Sequence, residues 1–216
     1  MKADPSRHAG NEDLGFLHRF EPGTSGDTVL LLHGTGGDEG DLLSIGRRIA
    51  PDASLLSPRG KVLENGMPRF FRRLEIGVFD EADLVRRAGE LGRFVRSAAR
   101  HYGFDAGRVR ALGYSNGANM AAALLLLDDS LLEGAALLRA ILPLEPPRPP
   151  HLSGKPVLIA AGRRDPYASA ERVEALADRL RRAGASVDLQ WSMRGHDLDP
   201  TEVDAVGEWL EATRTV

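Results

Sequence analysis

The chain contains no cysteine. That single absence excludes disulfides, thiolate nucleophiles and cysteine-ligated zinc. Long apolar runs are missing too: the longest, around Met120 to Leu127, falls far short of the ~20 residues that a membrane-spanning helix needs. The first twenty residues are charged and hold no apolar core of the secretory kind, so a cytoplasmic location is expected. Nor is there an excess of basic charge, since 28 Lys and Arg stand against 31 Asp and Glu, a formal net charge of -3. No broad surface for nucleic acid is implied. The pairs Arg72-Arg73, Arg86-Arg87, Arg163-Arg164 and Arg181-Arg182 are interleaved with acids and read as solvated faces or helix ends.

What is present is ordinary globular material, with 42% hydrophobic and 27% charged residues over 216 positions. No composition shift or internal repeat divides it. The expectation is a mobile segment at 1–13 followed by one α/β domain at 14–216.

Phe16 to Phe20 alternates as an edge strand should, and Thr28 to His33 is a continuous apolar run of the kind central parallel strands show. Leu42 to Ala50 suggests a helix, and Ala53 to Ser57 a short buried strand stopped by Pro58. From Arg59 to Phe79 the pattern is irregular, which predicts a long functional loop. Asp80 to Tyr102 carries acids at its start and Arg100, His101 and Gly103 at its end, the charge and capping signals of a helix. Val109 to Leu112, Leu137 to Leu142, Pro156 to Ala161 and Ser186 to Trp191 read as strands. Asn116 to Leu127, Glu171 to Arg182 and Thr201 to Ala212 read as helices. Alternation of this kind builds βαβ units, hence a doubly wound, mostly parallel sheet with helices on both faces.

Within that pattern Gly113-Tyr114-Ser115-Asn116-Gly117 lies between a strand and a helix. A serine on so sharp a turn needs residues without side chains two before and two after it, and Gly113 and Gly117 meet that need. Ser115 is therefore a candidate nucleophile, although a plain glycine-bounded turn is the alternative. A serine hydroxyl needs a base, and the base an orienting acid. Asp165 follows one predicted strand and His196 another, in the order Ser, Asp, His that this turn requires, each at the carboxyl edge where open sheets build their sites. Amide donors for a developing oxyanion are available at Asn116 and at Thr35 in His33-Gly34-Thr35-Gly36-Gly37-Asp38-Glu39. As a phosphate loop this glycine-rich segment fails, because it lacks a Gly-Lys-Ser/Thr ending.

These segments, with Ser57 to Arg73 and the pairs Asp165-Pro166 and Gly195-His196, resemble the α/β-hydrolases of the carboxylesterase/phospholipase group, close to the acyl-protein thioesterases. Within that group they are most similar to the MhqD-like bacterial esterases. The resemblance spans about residues 29 to 210, and Ser57 to Arg73 is its most specific element. It implies Ser115 as nucleophile, Asp165 as orienting acid, His196 as base and the Thr35 and Asn116 amides as oxyanion donors. It also implies an ester or thioester as small-molecule substrate, no metal or organic cofactor, and a pairing of chains as homodimers in related esterases. Met67, Phe70 and Phe71 are expected to form a flap over an acyl pocket. Arg163, Arg164 and Arg194 depart from the pattern and add charge near the rim. Asp165 has a second reading as a helix cap, Asp197 and Asp199 read as caps of the last helix, and His33 as a shaper of the Thr35 loop. His8, His18, His101 and His151 show no metal spacing and read as surface positions. Two other functions stay open at this point, a non-catalytic ligand-binding protein and a serine peptidase of the same fold.

Overall fold

Thr28 to Leu32 is buried along its whole length, and its alternate side chains enter two different cores. The computed structural model in which this is seen describes residues 14–214, so the segment 1–13, and His8 with it, lies outside the described residues. In chain order the elements are β1 (His18–Glu21), β2 (Thr28–Leu32), α1 (Leu43–Ile49), β3 (Ser54–Pro58), β4 (Val62–Glu64), β5 (Met67–Arg69), β6 (Arg73–Glu75), β7 (Val78–Phe79) and α2 (Glu81–Tyr102). They continue with β8 (Val109–Tyr114), α3 (Asn116–Leu127), β9 (Gly134–Leu138), β10 (Pro156–Gly162), α4 (Ala170–Arg182), β11 (Ser186–Ser192) and α5 (Pro200–Ala212).

Among the described residues seven strands form one sheet in the order β1-β3-β2-β8-β9-β10-β11. Only β1, at the edge, runs antiparallel to its neighbour. Because a strand's side chains alternate between faces, Leu30 and Leu32 join the core under α2, α3 and α4. Val29 and Leu31 join the core under α1 and α5, with Ile49 and Trp209. The helix α3 is apolar on every side and buried almost throughout, as a helix enclosed between a sheet and α2 must be. Among the described residues no helix is long and apolar enough to cross a membrane.

Three expectations need correction. The irregular stretch from Arg59 to Phe79 is two hairpins, β4–β5 and β6–β7. The first turns at Asn65-Gly66 with φ of 51° and 80°, the pair of positive angles that a type I′ turn needs, so the Asn-Gly signal was legible. The strand expected at Leu137 to Leu142 is displaced to Gly134–Leu138, because Arg139 takes φ 61° and leaves the sheet. His18 is buried rather than at the surface: its ring lies 2.8 Å from the Tyr102 hydroxyl and 2.7 Å from Phe16 O, under the carboxyl end of α2.

Candidate active site

Parallel strands end at a common edge, so the segments after β2, β8, β10 and β11 converge there. Ser115 sits between β8 and α3 with φ 52° and ψ -113°, a region disfavoured for any side chain by about 1–3 kcal/mol. The flanking glycines are demanded by contact. A Cβ on Gly117 would lie 2.0 Å from Leu32 O, and one on Gly113 2.6 Å from the Ala118 backbone. The turn is held in register by Ser115 N–H donating to Leu138 O at 2.9 Å.

Asp165 is delivered by the turn after β10, its side chain fully buried. One carboxylate oxygen accepts from Tyr167 N–H at 2.8 Å, and the other faces His196 Nδ1 at 2.8 Å. His196 Nε2 lies 2.9 Å from Ser115 Oγ. With the proton on Nδ1, the ring donates to Asp165 and accepts from Ser115. Asp165 does not cap the next helix, whose N-cap is Ser169. Asp199 does cap α5, in a capping box with Glu202, whereas Asp197 does not serve as its N-cap.

The loop carrying His196 is fastened by a residue that the sequence reading missed. The Arg139 side chain has no solvent exposure and ties together the carbonyls on either side of the histidine. Its Nε donates to Gly195 O at 2.9 Å and its Nη2 to Asp197 O at 2.8 Å. It also donates to Ala160 O and pairs with Glu202 at 2.7 Å. The available signal was one arginine inside the apolar run Leu137 to Leu142, which a buried strand would not accept unpaired. Tyr114 adds a bond from its hydroxyl to His196 O at 3.1 Å. Gly162 lets the β10 end approach, since a Cβ there would lie 2.4 Å from Gly195 O.

On the other side of Ser115, the amides of Thr35 and Asn116 have no acceptor among the described residues. The Thr35 loop is shaped by buried His33, as expected. His33 Nδ1 is 2.6 Å from Gly34 O, and its Nε2 accepts Gly60 N–H at 2.9 Å. Only the neutral ring with its proton on Nδ1 satisfies both partners. Burial holds the His33 pKa below its ordinary value of 6.5, against the raising effect of Gly34 O, Asp41 and Asp38. Burial lowers that of His18 likewise.

An unfolded chain takes up these protons near pH 6.5 while the folded chain resists, so their contribution is complete above that pH and is lost as the pH falls. Urea midpoints should therefore drop progressively below about pH 6.5. The drop should be shallower in His33→Gln; a slope equal to that of the parent chain would remove His33 from the account.

The segment 67–70 touches both donor residues but does not form the expected flap. Arg69 Nη1 donates to Thr35 Oγ1 at 2.6 Å, and Phe70 N–H to Asn116 Oδ1 at 2.7 Å. Held this way, the chain turns its rings inward. Phe70 packs on His33 with 2% exposure, and Phe71 packs on Phe79 with none. Met67 is 40% exposed and lies over Gly36. None of the three lines the cavity of about 290 Å³ beside Ser115, whose apolar wall is Ile76, Phe79 and Ile141. Arg163, Arg164 and Arg194 also stay out of it. Arg163 lies over Trp191, Arg164 is exposed, and Arg194 pairs with Asp199. The arginines that do reach the cavity are Arg69, Arg73 and Arg139.

A mostly parallel sheet covered by helices on both faces, with a serine on a sharp strand-to-helix turn at its carboxyl edge, defines an α/β-hydrolase. The chain belongs to the phospholipase/carboxylesterase family, whose profile matches residues 23–214. It is 52% identical over 194 residues to the MhqD hydrolase of Bacillus subtilis (strain 168), covering 90% of this chain and 97% of that protein. The crystal structure of the Bacillus cereus carboxylesterase superposes with a TM-score of 0.90 at 46% identity, over 92% of this chain and 95% of that one. A carboxylesterase from Mesorhizobium loti gives 0.87 at 34% identity, over 92% and 96%. Family membership supports an enzyme that hydrolyses esters.

Proposed function

We propose that this chain is a serine carboxylesterase acting on small to medium esters or thioesters through an acyl-enzyme. Ser115 Oγ attacks the carbonyl carbon as its proton passes to His196 Nε2. Asp165 keeps the imidazole in the receiving tautomer and stabilises the imidazolium. The tetrahedral oxyanion is met by the Thr35 and Asn116 amides. His196 then returns the proton to the departing alkoxide or thiolate, and the serine ester remains. In the second half a water molecule, deprotonated by the same imidazole, attacks the acyl carbon, and Ser115 leaves with the proton as the carboxylic acid departs.

The observation that carries the reading is the continuous chain from Ser115 Oγ through His196 to Asp165, at 2.9 and 2.8 Å. It is supported by the strained backbone at Ser115, a cost that a merely structural turn has no reason to retain. A fluorophosphonate probe applied to the folded protein should form one adduct, and peptide mapping should locate it on Ser115. An unlabelled serine in otherwise folded protein would instead favour the ligand-binding alternative.

A further inference from the structure

Among the described residues fourteen line the cavity beside Ser115, of which three are arginines and none is Asp or Glu. The carboxylates nearby sit outside that lining, and three of them pair with groups that belong to it. Glu202 pairs with Arg139 and Asp165 with His196, while Glu64 pairs with both Arg69 and Arg73. The Arg139 donors are committed to three carbonyls and to Glu202. That residue contributes field at the cavity but little further bonding.

Arg69 and Arg73 differ from it. Two guanidiniums share one carboxylate, so this trio carries one net positive charge. Glu64 Oε1 takes Arg73 Nε and Nη2 at 2.9 and 2.5 Å, and its Oε2 lies 3.4 Å from Arg69 Nε. Arg69 Nη2 and Arg73 Nη1 have no acceptor among the described residues. The Arg69 side chain is only 3% exposed, so its charge is held where water gives it little solvation. A buried cation that is under-compensated and keeps donors free is arranged for an incoming anion.

We propose that the cavity selects esters carrying a carboxylate a few bonds from the scissile carbonyl, bound by Arg69 Nη2 and Arg73 Nη1. This rests on the esterase reading of Ser115. A singly charged carboxylate matches the net charge of that trio, which a dianionic phosphate would exceed. Proximity to the carbonyl follows from Arg69 Nη1, whose acceptor is the hydroxyl of Thr35, the residue whose amide is the proposed oxyanion donor. Ile76, Phe79 and Ile141 leave an apolar wall for the rest of the substrate.

The test compares two esters with the same leaving group and chain length, 4-nitrophenyl hydrogen adipate and its methyl ester, in the intact protein. The free acid should have the higher kcat/KM, by about tenfold or more at low ionic strength, with the preference shrinking as salt is added. Arg69 also holds Thr35, so the variant used is Arg73→Gln, and in it the acid-to-ester ratio should fall towards one. Equal or better turnover of the methyl ester by the parent protein overturns the anion selectivity and leaves the esterase reading standing. A ratio unchanged in Arg73→Gln overturns the assignment to this arginine pair. Turnover of neither ester removes both readings.

Discussion

Replacing Ser115 with alanine is expected to lower kcat on short-chain p-nitrophenyl esters by about ten-thousand-fold or more. The proposed oxyanion donors and the cavity would remain, so substrate could still be held, but no oxygen would stand 2.9 Å from His196 Nε2 to form the proposed acyl-enzyme. Retained turnover in the alanine variant would remove Ser115 as nucleophile. Ser115→Gly should be equally inactive yet more stable than Ser115→Ala by about 1–2 kcal/mol, because only glycine adopts this backbone without steric cost. Denaturant midpoints measured beside the kinetics would test whether strain is stored at the nucleophile. Equal stability of the two variants would refute that idea and leave the catalytic assignment intact.

The second large effect is expected at Arg139. Arg139→Met strands Glu202, a mostly buried carboxylate, and should destabilise the fold by about 3–5 kcal/mol. It should also lower kcat by about tenfold to a hundredfold with a smaller change in KM, since the carbonyls of Gly195 and Asp197 lose the donor that fixes the His196 loop. Stability and rate are separable here. In the double variant Arg139→Met/Glu202→Met no carboxylate is left unpaired, so much of the stability should return while kcat stays low. If kcat recovered together with stability, Arg139 would be a packing residue alone and not one that positions the histidine.

The elements legible beforehand were those whose signals are local. The helix α2 was marked by its first-turn acids and by Gly103, whose φ of 78° ends it. The strand β2 was marked by unbroken apolar character, and the Ser115 turn by glycines for which the structure leaves no room for side chains. The hairpins between β3 and α2 escaped because their strands are two or three residues long, too short for periodicity to register. Asn65-Gly66 alone pointed to one of them. In one dimension Phe70 and Phe71, an aromatic pair between two arginines, have the look of an exposed flap. The bond from Phe70 N–H to Asn116, 46 residues away, is what turns them inward.

By itself the sequence determined the alternation of strands and helices, and with it the order in which serine, acid and histidine reach one rim. Apolar periodicity and glycine requirements act over a few residues, and parallel strands then bring their carboxyl ends to the same edge whatever the loops contain. Tertiary structure alone decided which charges face the cavity. Arg139 and Arg69 can be buried only because partners arrive from elsewhere: Glu202, 63 positions along the chain, for the first, and Thr35, 34 positions away, with Glu64 from the opposite strand of its hairpin, for the second. A buried charge survives by its neighbours in space, and the sequence around it does not say which residues those are.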